Sequence, residues 1–111
     1  MRRTVVEPFD YNMVDELINT ILSIHNPKMI VIFGSVAKGT AKKGSDIDVM
    51  VVMETKERPI RRGMDILDAL EIPTDVDLIV LTPKEYKEYS TDPYSFTSEI
   101  MRTGRIVYGS A

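Results

Sequence analysis

The chain has 111 residues, of which 43% are hydrophobic and 28% charged, and this composition predicts a single domain over residues 1–111 with one core. A formal net charge of -3 at pH 7 argues against general nucleic-acid binding, because neutralising many phosphates normally requires an excess of Lys and Arg. The absence of cysteine excludes disulfides and cysteine zinc sites, and the lone His25 excludes a multi-histidine metal site. Neither a signal peptide nor an apolar run of membrane-spanning length is present, so we expect a cytoplasmic protein without membrane contact.

The first half of the chain alternates helix and strand signals. Apolar residues recur at helical spacing over residues 10–24, which predicts an amphipathic helix. The continuous apolar run at 29–33 predicts a strand that is buried on both faces. A short helix from about 36 to 41 and a turn at 42–45 then lead to a second predicted strand over 46–53.

The second half continues the alternation. Pro59 suits the first position of a helix that runs to about residue 70, and a third strand is predicted over 76–81. Thr82 can cap a helix that ends near residue 89, and Asp92-Pro93 begins a last helix that Gly104 can end near residue 102. A short final strand is predicted over 105–108. The order α-β-α-β-α-β-α-α-β is that of an α/β domain with a small sheet flanked by helices.

Three aspartates fall at the beginnings of two predicted strands. Side chains alternate along a strand, so Asp46 and Asp48 point the same way while Ile47 points into the core. Asp77 begins the next strand, and like charges this close repel unless a cation lies between them. Carboxylate oxygens are the ligands that Mg²⁺ prefers. Asp75 could share the face of Asp77, but we favour Asp77 because Asp75 more naturally belongs to the turn before the strand.

The positions of these residues within their strands predict the topology of the sheet. Gly34-Ser35 ends the first strand, whereas Asp46 and Asp48 begin the second, so the two strands must be antiparallel for these residues to meet. Asp77 also begins its strand, so the second and third strands should be parallel and joined by the crossover helix at 59–70. The predicted sheet is therefore mixed.

A phosphate site is predicted on the other side of the aspartates. Gly34 would let a phosphate approach the backbone, and Ser35 offers a hydroxyl and free backbone N–H groups where the following helix begins. Phosphates on one side and two metal ions on the other would hold the α-phosphorus of a nucleotide between them, which is the arrangement of two-metal phosphoryl chemistry.

The run Gly34-Ser35-Val36-Ala37-Lys38-Gly39, a ten-residue interval and Asp46-Ile47-Asp48 together resemble the signature of the polymerase-β-type nucleotidyltransferase superfamily, and most of all its minimal single-domain branch. The resemblance implies that Asp46 and Asp48 bind two Mg²⁺ ions and that Asp77 is the third metal-binding carboxylate and a candidate general base. It also implies that Gly34 and Ser35 hold the triphosphate. Lys38 stands where many members carry arginine, and lysine keeps the charge without the bidentate fork.

The resemblance further implies a role. Minimal members are typically encoded beside a HEPN-type toxin and act as its antitoxin by transferring AMP from ATP to a toxin tyrosine. ATP would then be the substrate, and either the HEPN-type partner or a second copy of the chain would complete the acceptor site. Two alternatives remain: an enzyme with a small-molecule acceptor, such as an aminoglycoside-type nucleotidyltransferase, and a non-catalytic module that masks its partner. Replacing Asp46 and Asp48 by asparagine separates an enzyme from a mask.

Two groups of basic residues allow more than one interpretation. Lys42 and Lys43 could reach a triphosphate or belong to a solvated turn. Arg58, Arg61 and Arg62 could form the solvated face of a helix or contact a partner or a nucleic acid.

Overall fold

The computed structural model describes residues 7–111, so the beginning of the domain expected over 1–111 lies outside the described residues. Within that range four strands form one sheet in the order β3-β2-β1-β4. The strands are β1 (Met29–Phe33), β2 (Ile47–Val52), β3 (Val76–Leu81) and β4 (Arg105–Gly109). The helices are α1 (Asn12–Ile24), α2 (Gly34–Lys38), α3 (Met64–Ala69), α4 (Pro83–Ser90) and α5 (Phe96–Thr103), with a 3₁₀ turn at Pro59–Arg61.

The sheet is mixed, as the placement of the aspartates predicted. β1 runs antiparallel to β2, and β2 runs parallel to β3. β4 completes the sheet on the other side of β1, antiparallel to it. The α/β fold class and the orientation of the first three strands are therefore confirmed.

The two central strands are buried on both faces, which accounts for their continuous apolar sequences. On one face of the sheet, alternate residues of β1 and β2 pack with Leu17 and Ile21 of α1 and with Ile66 of α3. On the other face, the intervening residues pack with Ile100 of α5 and Tyr86 of α4. None of the helices within residues 7–111 is both long enough and apolar enough to cross a membrane.

The predicted helix over 59–70 is wrong as a single element. A 3₁₀ turn at Pro59–Arg61 is separated from α3 by Gly63, whose φ of 80° cannot continue a right-handed helix. A Cβ at this position would overlap the side chain of Leu78, so the close approach to β3 requires glycine. α3 begins after this break and packs against the sheet through Ile66, which is fully buried.

Two further helices begin at different residues from those predicted. The helix expected at 36–41 is α2, which begins two residues earlier at Gly34 and ends at Lys38, because Gly39 adopts the left-handed conformation that closes it. The helix expected to open at Asp92-Pro93 begins at Phe96, because Ser95 accepts the N–H of Ser98 and so caps it.

The end of β3 is fixed by a group of polar contacts around α4. Thr82 caps α4 as expected, and Glu85 completes a capping box: the Glu85 N–H donates to Thr82 Oγ1 at 3.2 Å, and the Thr82 N–H donates to Glu85 Oε1 at 2.9 Å. Arg62 Nη1 donates to the same carboxylate at 2.6 Å. The solvated-face interpretation is therefore wrong for Arg62, since its side chain is 10% exposed and bound to Glu85, whereas Arg58 and Arg61 are exposed.

Candidate active site

Asp48 and Asp77 lie side by side at the beginning of the parallel strand pair. They are partners in the register of β2 and β3, and Asp48 faces Phe33 across the antiparallel pair of β1 and β2. Asp48 is half-buried and Asp77 is exposed. The ring of Phe33 in turn packs edge-to-face on Phe96 of α5, with 5.8 Å between ring centroids. The end of β1 is thereby anchored beside the two carboxylates.

Gly34 provides the space that Asp48 occupies. Its φ is +70°, which L-residues with a side chain rarely adopt, and a Cβ at this position would overlap Asp48 Oδ2. The carboxylate of Asp48 therefore lies directly against the backbone where β1 passes into α2. This contact joins the glycine and the aspartate of the sequence pattern, which lie on neighbouring strands.

The pKa of Asp48 is raised above its ordinary value of 3.8. Burial is the largest cause, followed by a hydrogen bond with the Asp77 carboxyl and by the negative charges of Asp77 and Asp46. Burial and the neighbouring carboxylates both disfavour the charged form of Asp48. A cation placed between the two oxygens would relieve the same repulsion.

Asp46 lies one residue before β2 and is exposed. Hydrogen bonds on either side hold its backbone: the Thr74 hydroxyl donates to the Ser45 carbonyl at 2.9 Å, and the Ile47 N–H donates to the Asp75 carbonyl at 3.0 Å. These bonds tie the beginning of β2 to the beginning of β3. Ile47 is fully buried, as its position between the two aspartates predicted.

Asp75, which the sequence places in the turn before β3, lies near the candidate site. Asp46 and Asp75 line the same open groove, together with Asp77. The parallel pairing predicted for β2 and β3 could have identified Asp75 from the sequence, because residue 46 lies beside residue 75 if Asp48 lies opposite Asp77. Asp46, Asp75 and Asp77 thus lie along one groove, and Asp48 lies opposite Asp77 in register.

The donor set suits a hard divalent cation, since Asp48 and Asp77 present carboxylate oxygens close together. Among residues 7–111, no three acidic, histidine or cysteine side chains are close enough as they stand to form a metal-binding group. The pair Asp48 and Asp77 is assembled, whereas Asp46 would have to turn towards it. Its exposed side chain leaves that rotation open.

The predicted phosphate-binding residues lie around the same turn. Gly34 begins α2, and Ser35 follows it half-buried. Lys38 is exposed in the last turn of this five-residue helix. Gly34 is thus in contact with the acidic pair, whereas Lys38 lies one helical turn further along the chain. Lys43, on the next turn, pairs at 2.7 Å with Glu7, which favours the solvated-turn interpretation for that lysine.

A more apolar cavity of about 590 Å³ lies at the opposite end of the central strands, near Met29 and Val52. Neither aspartate nor glutamate lines it within the described residues. The acidic residues that could perform phosphoryl chemistry lie instead at the other end of the sheet, where β2 and β3 begin.

The sequence model of the family described as "Polymerase beta, Nucleotidyltransferase" matches residues 16–111. The chain belongs to this nucleotidyltransferase family. The match spans α1 to β4, so it includes Gly34 and all of the aspartates discussed above. No curated protein matches the chain in sequence.

Solved structures share the nucleotidyltransferase fold. A candidate nucleotidyltransferase from Sulfolobus solfataricus is 21% identical with a TM-score of 0.62, over 88% of this chain and 78% of the other. A toxin-antitoxin structure with AMP-PNP is 24% identical with a TM-score of 0.60, over 86% and 73% of the two chains. A tyrosine-to-alanine mutant of the toxin-antitoxin MntA-HpeT is 22% identical with a TM-score of 0.52, over 92% and 74%.

Proposed function

We propose that this nucleotidyltransferase transfers a nucleoside monophosphate, AMP from ATP in preference to others, to the tyrosine hydroxyl of a HEPN-type partner toxin. The modification would silence the toxin, so the chain would act as an antitoxin. The reaction forms a bond between the tyrosine oxygen and the α-phosphorus and breaks the bond to the β-phosphate, releasing pyrophosphate. The hydroxyl proton passes to Asp77, whose exposed side chain lies at the beginning of β3.

One observation carries the catalytic part of the proposal: Asp48 and Asp77 form a carboxylate pair that lies against the Gly34 backbone. Burial of Asp48, and after it the hydrogen bond with Asp77 and the charges of Asp77 and Asp46, raise its pKa, and a carboxyl perturbed in this way is a candidate for a functional site. Asp46, Asp48 and Asp77 would hold two Mg²⁺ ions, which when bound would supply positive charge to the transferred phosphoryl group. Backbone N–H groups at Gly34 and Ser35 would bind the triphosphate, and Lys38 would add positive charge near it.

The nucleotide and the acceptor are supported by structures that share the fold. One of them is a toxin-antitoxin structure with AMP-PNP, an analogue of ATP. Another is a toxin-antitoxin structure in which a tyrosine is replaced by alanine. Both lines of support concern other proteins, so the substrates of this chain need a direct assay.

The assay incubates the protein with Mg²⁺ and each of four α-labelled NTPs, with and without the product of the neighbouring gene. We expect label from ATP to enter a tyrosine of that product. Asp46→Asn and Asp48→Asn should abolish transfer, whereas Asp15→Asn, at an exposed position on α1, should leave it unchanged.

Two results would contradict the proposal. If no label moves while the two proteins still bind tightly, the chain is a masking module and not a catalyst. If label enters only an added small molecule such as an aminoglycoside, the acceptor is wrong and the small-molecule alternative replaces it.

A further inference from the structure

A groove of about 490 Å³ runs between α3 and the beginning of β3. One side is apolar and is formed by Leu67, Leu70 and Ile72. The other side is acidic and includes Asp46 and Asp77, two of the residues to which the proposed function assigns metal binding. Whatever occupies the groove therefore lies directly beside the candidate site.

The groove is built from anchored elements. Leu70 and Ile72 pack against the main core, and Ile66 fixes α3 to the sheet. His25 Nε2 lies 2.7 Å from Asp65 Oδ2 and connects the end of α1 to α3. A binding surface whose walls are held in this way loses little conformational entropy when it is occupied.

The apolar side continues out of the groove onto exposed surface. Leu67 exposes 43% of its area and Met64 exposes 51%, and the two are three residues apart on one face of α3. Exposed apolar side chains that adjoin each other and a polar cleft are typical of surfaces that bind another protein. The side chains of Met64 and Leu67 face water, and packing against a partner would remove their apolar surface from water.

The exposed carboxylate of Asp75 adds negative charge to the acidic side of the groove. It lines the groove beside Asp46, and within residues 7–111 no Lys, Arg or His forms an ion pair with it. Asp48 and Asp77 already face each other in register, which leaves Asp75 outside that pair. An acidic groove repels nucleic-acid phosphates and anionic lipid surfaces, whereas it attracts a basic side chain.

We propose that this groove is the docking site for the acceptor protein. It takes a segment that places an apolar side chain on Leu67 and a basic side chain opposite Asp75, on either side of the acceptor tyrosine. The inference rests on the proposed function, because it names the chemistry of the partner for the same site. The shared residues Asp46 and Asp77 bring a segment bound there within reach of the transferred phosphoryl group.

The test measures the dissociation constant of the complex between this chain and the neighbouring-gene product, without any nucleotide. We expect Leu67→Asp to weaken binding at least about tenfold, because it places a charge in the apolar contact. Asp75→Lys should weaken it by about fivefold or more, because it reverses the attraction to a basic side chain. Leu67→Met should bind like the wild type, since it keeps the apolar surface and the volume.

Ile106→Asp is the matched control. Ile106 exposes 47% of its area, close to the value for Leu67, but lies on β4 at the opposite edge of the sheet. Its replacement should leave the dissociation constant unchanged. If Ile106→Asp weakens the complex while Leu67→Asp does not, the partner docks on the β4 edge and the proposal is overturned. It is also overturned if the wild-type chain does not bind the neighbouring-gene product.

The label-transfer assay separates this proposal from the function on which it rests. If the groove variants weaken the complex but the wild type transfers no label, the docking site stands and the catalytic function fails. If the wild type labels the partner and Leu67→Asp labels it equally well, the function stands and the docking site is wrong. Binding of a fluorescent ATP analogue should be the same for wild type and Leu67→Asp, because Leu67 is not among the residues assigned to the nucleotide.

Discussion

Replacing Asp48 by asparagine should stabilise the protein in the absence of divalent cations while removing its activity. Asp48 is half-buried against Gly34 and faces Asp77, and its pKa is raised by burial and by the neighbouring carboxylates. Asparagine has nearly the same shape but carries no charge, so it removes both the desolvation cost and the repulsion. The predicted gain is the opposite of the usual result of mutation, since most substitutions destabilise a protein.

The size of the gain follows from the geometry of the pair. Two unit charges about 4 Å apart repel by about 1 kcal/mol in water and by about 4 kcal/mol at an effective dielectric constant near 20. Because Asp77 is exposed, the value near water applies, and we expect a gain of about 1–2 kcal/mol at neutral pH. For a domain of this size that corresponds to an increase in Tm of about 4–8 °C.

The gain should depend on pH in one direction. A raised pKa means that the folded chain binds the proton of Asp48 more tightly than the unfolded chain does. The resulting stabilisation of the wild type is complete below the ordinary pKa of 3.8 and is lost as pH rises through the raised value. The difference between Asp48→Asn and the wild type should therefore be near zero at pH 3.5 and grow towards pH 7.

The assay is thermal unfolding followed by circular dichroism in EDTA, at several pH values between 3.5 and 7.5. Asp77→Asn should give a smaller gain, because it removes the repulsion and leaves the burial of Asp48 unchanged. The double variant should gain less than the sum of the two, since both changes relieve the same repulsion. Adding Mg²⁺ should raise the Tm of the wild type more than that of Asp48→Asn. A lower Tm for Asp48→Asn in EDTA at pH 7 would refute the reasoning.

Two further predictions concern the residues around the acidic pair and the end of β3. Gly34→Ala should cost about 1–3 kcal/mol in urea unfolding and abolish transfer, whereas Gly39→Ala, which has a similar positive φ but open space around it, should cost less and keep activity. Equal costs would show that the contact between Gly34 and Asp48 contributes nothing. Arg62→Ala should cost about 1–3 kcal/mol, because it leaves the half-buried carboxylate of Glu85 without its cationic partner; the exposed control Arg61→Ala should stay within about 0.5 kcal/mol. Urea unfolding checks both, and a loss for Arg61→Ala as large as that for Arg62→Ala would contradict the assignment.

The relative orientation of β1, β2 and β3 could be predicted because residues that must meet in the candidate site stand at known ends of their strands. Gly34 ends a strand and Asp48 begins one, so bringing them together left only the antiparallel arrangement. Asp77 likewise required a parallel third strand. The place of β4 beside β1 had no such constraint, because Arg105–Gly109 carries neither a site residue nor a distinctive alternation.

The errors in the sequence prediction arise where tertiary contacts decide local structure. Pro59 suits the start of a continuous helix, and the positive φ of Gly63 and its approach to Leu78 explain why the chain turns there. Residues 73 and 74 predict a turn before β3, and the chain bends there. The bend delivers Asp75 to the groove, since the Thr74 hydroxyl ties it to Ser45.

Asp48 lies near the beginning of β2, a strand that has a neighbour on each side in the sheet. β2 pairs with β1 on one side and β3 on the other, and its residues from Val49 to Val52 are buried. β2 is therefore anchored along the rest of its length, so burial of Asp48 and the neighbouring carboxylates raise the pKa of Asp48 without fraying the strand end. Asp77 begins the edge strand β3, whose only neighbour in the sheet of the described residues is β2, and the hydrogen bond from the Ile47 N–H to the Asp75 carbonyl ties the beginning of β3 to β2. The parallel pairing of β2 with β3 can thus keep Asp48 and Asp77 together before any cation binds, and a site that is already assembled requires less rearrangement when its ligands arrive.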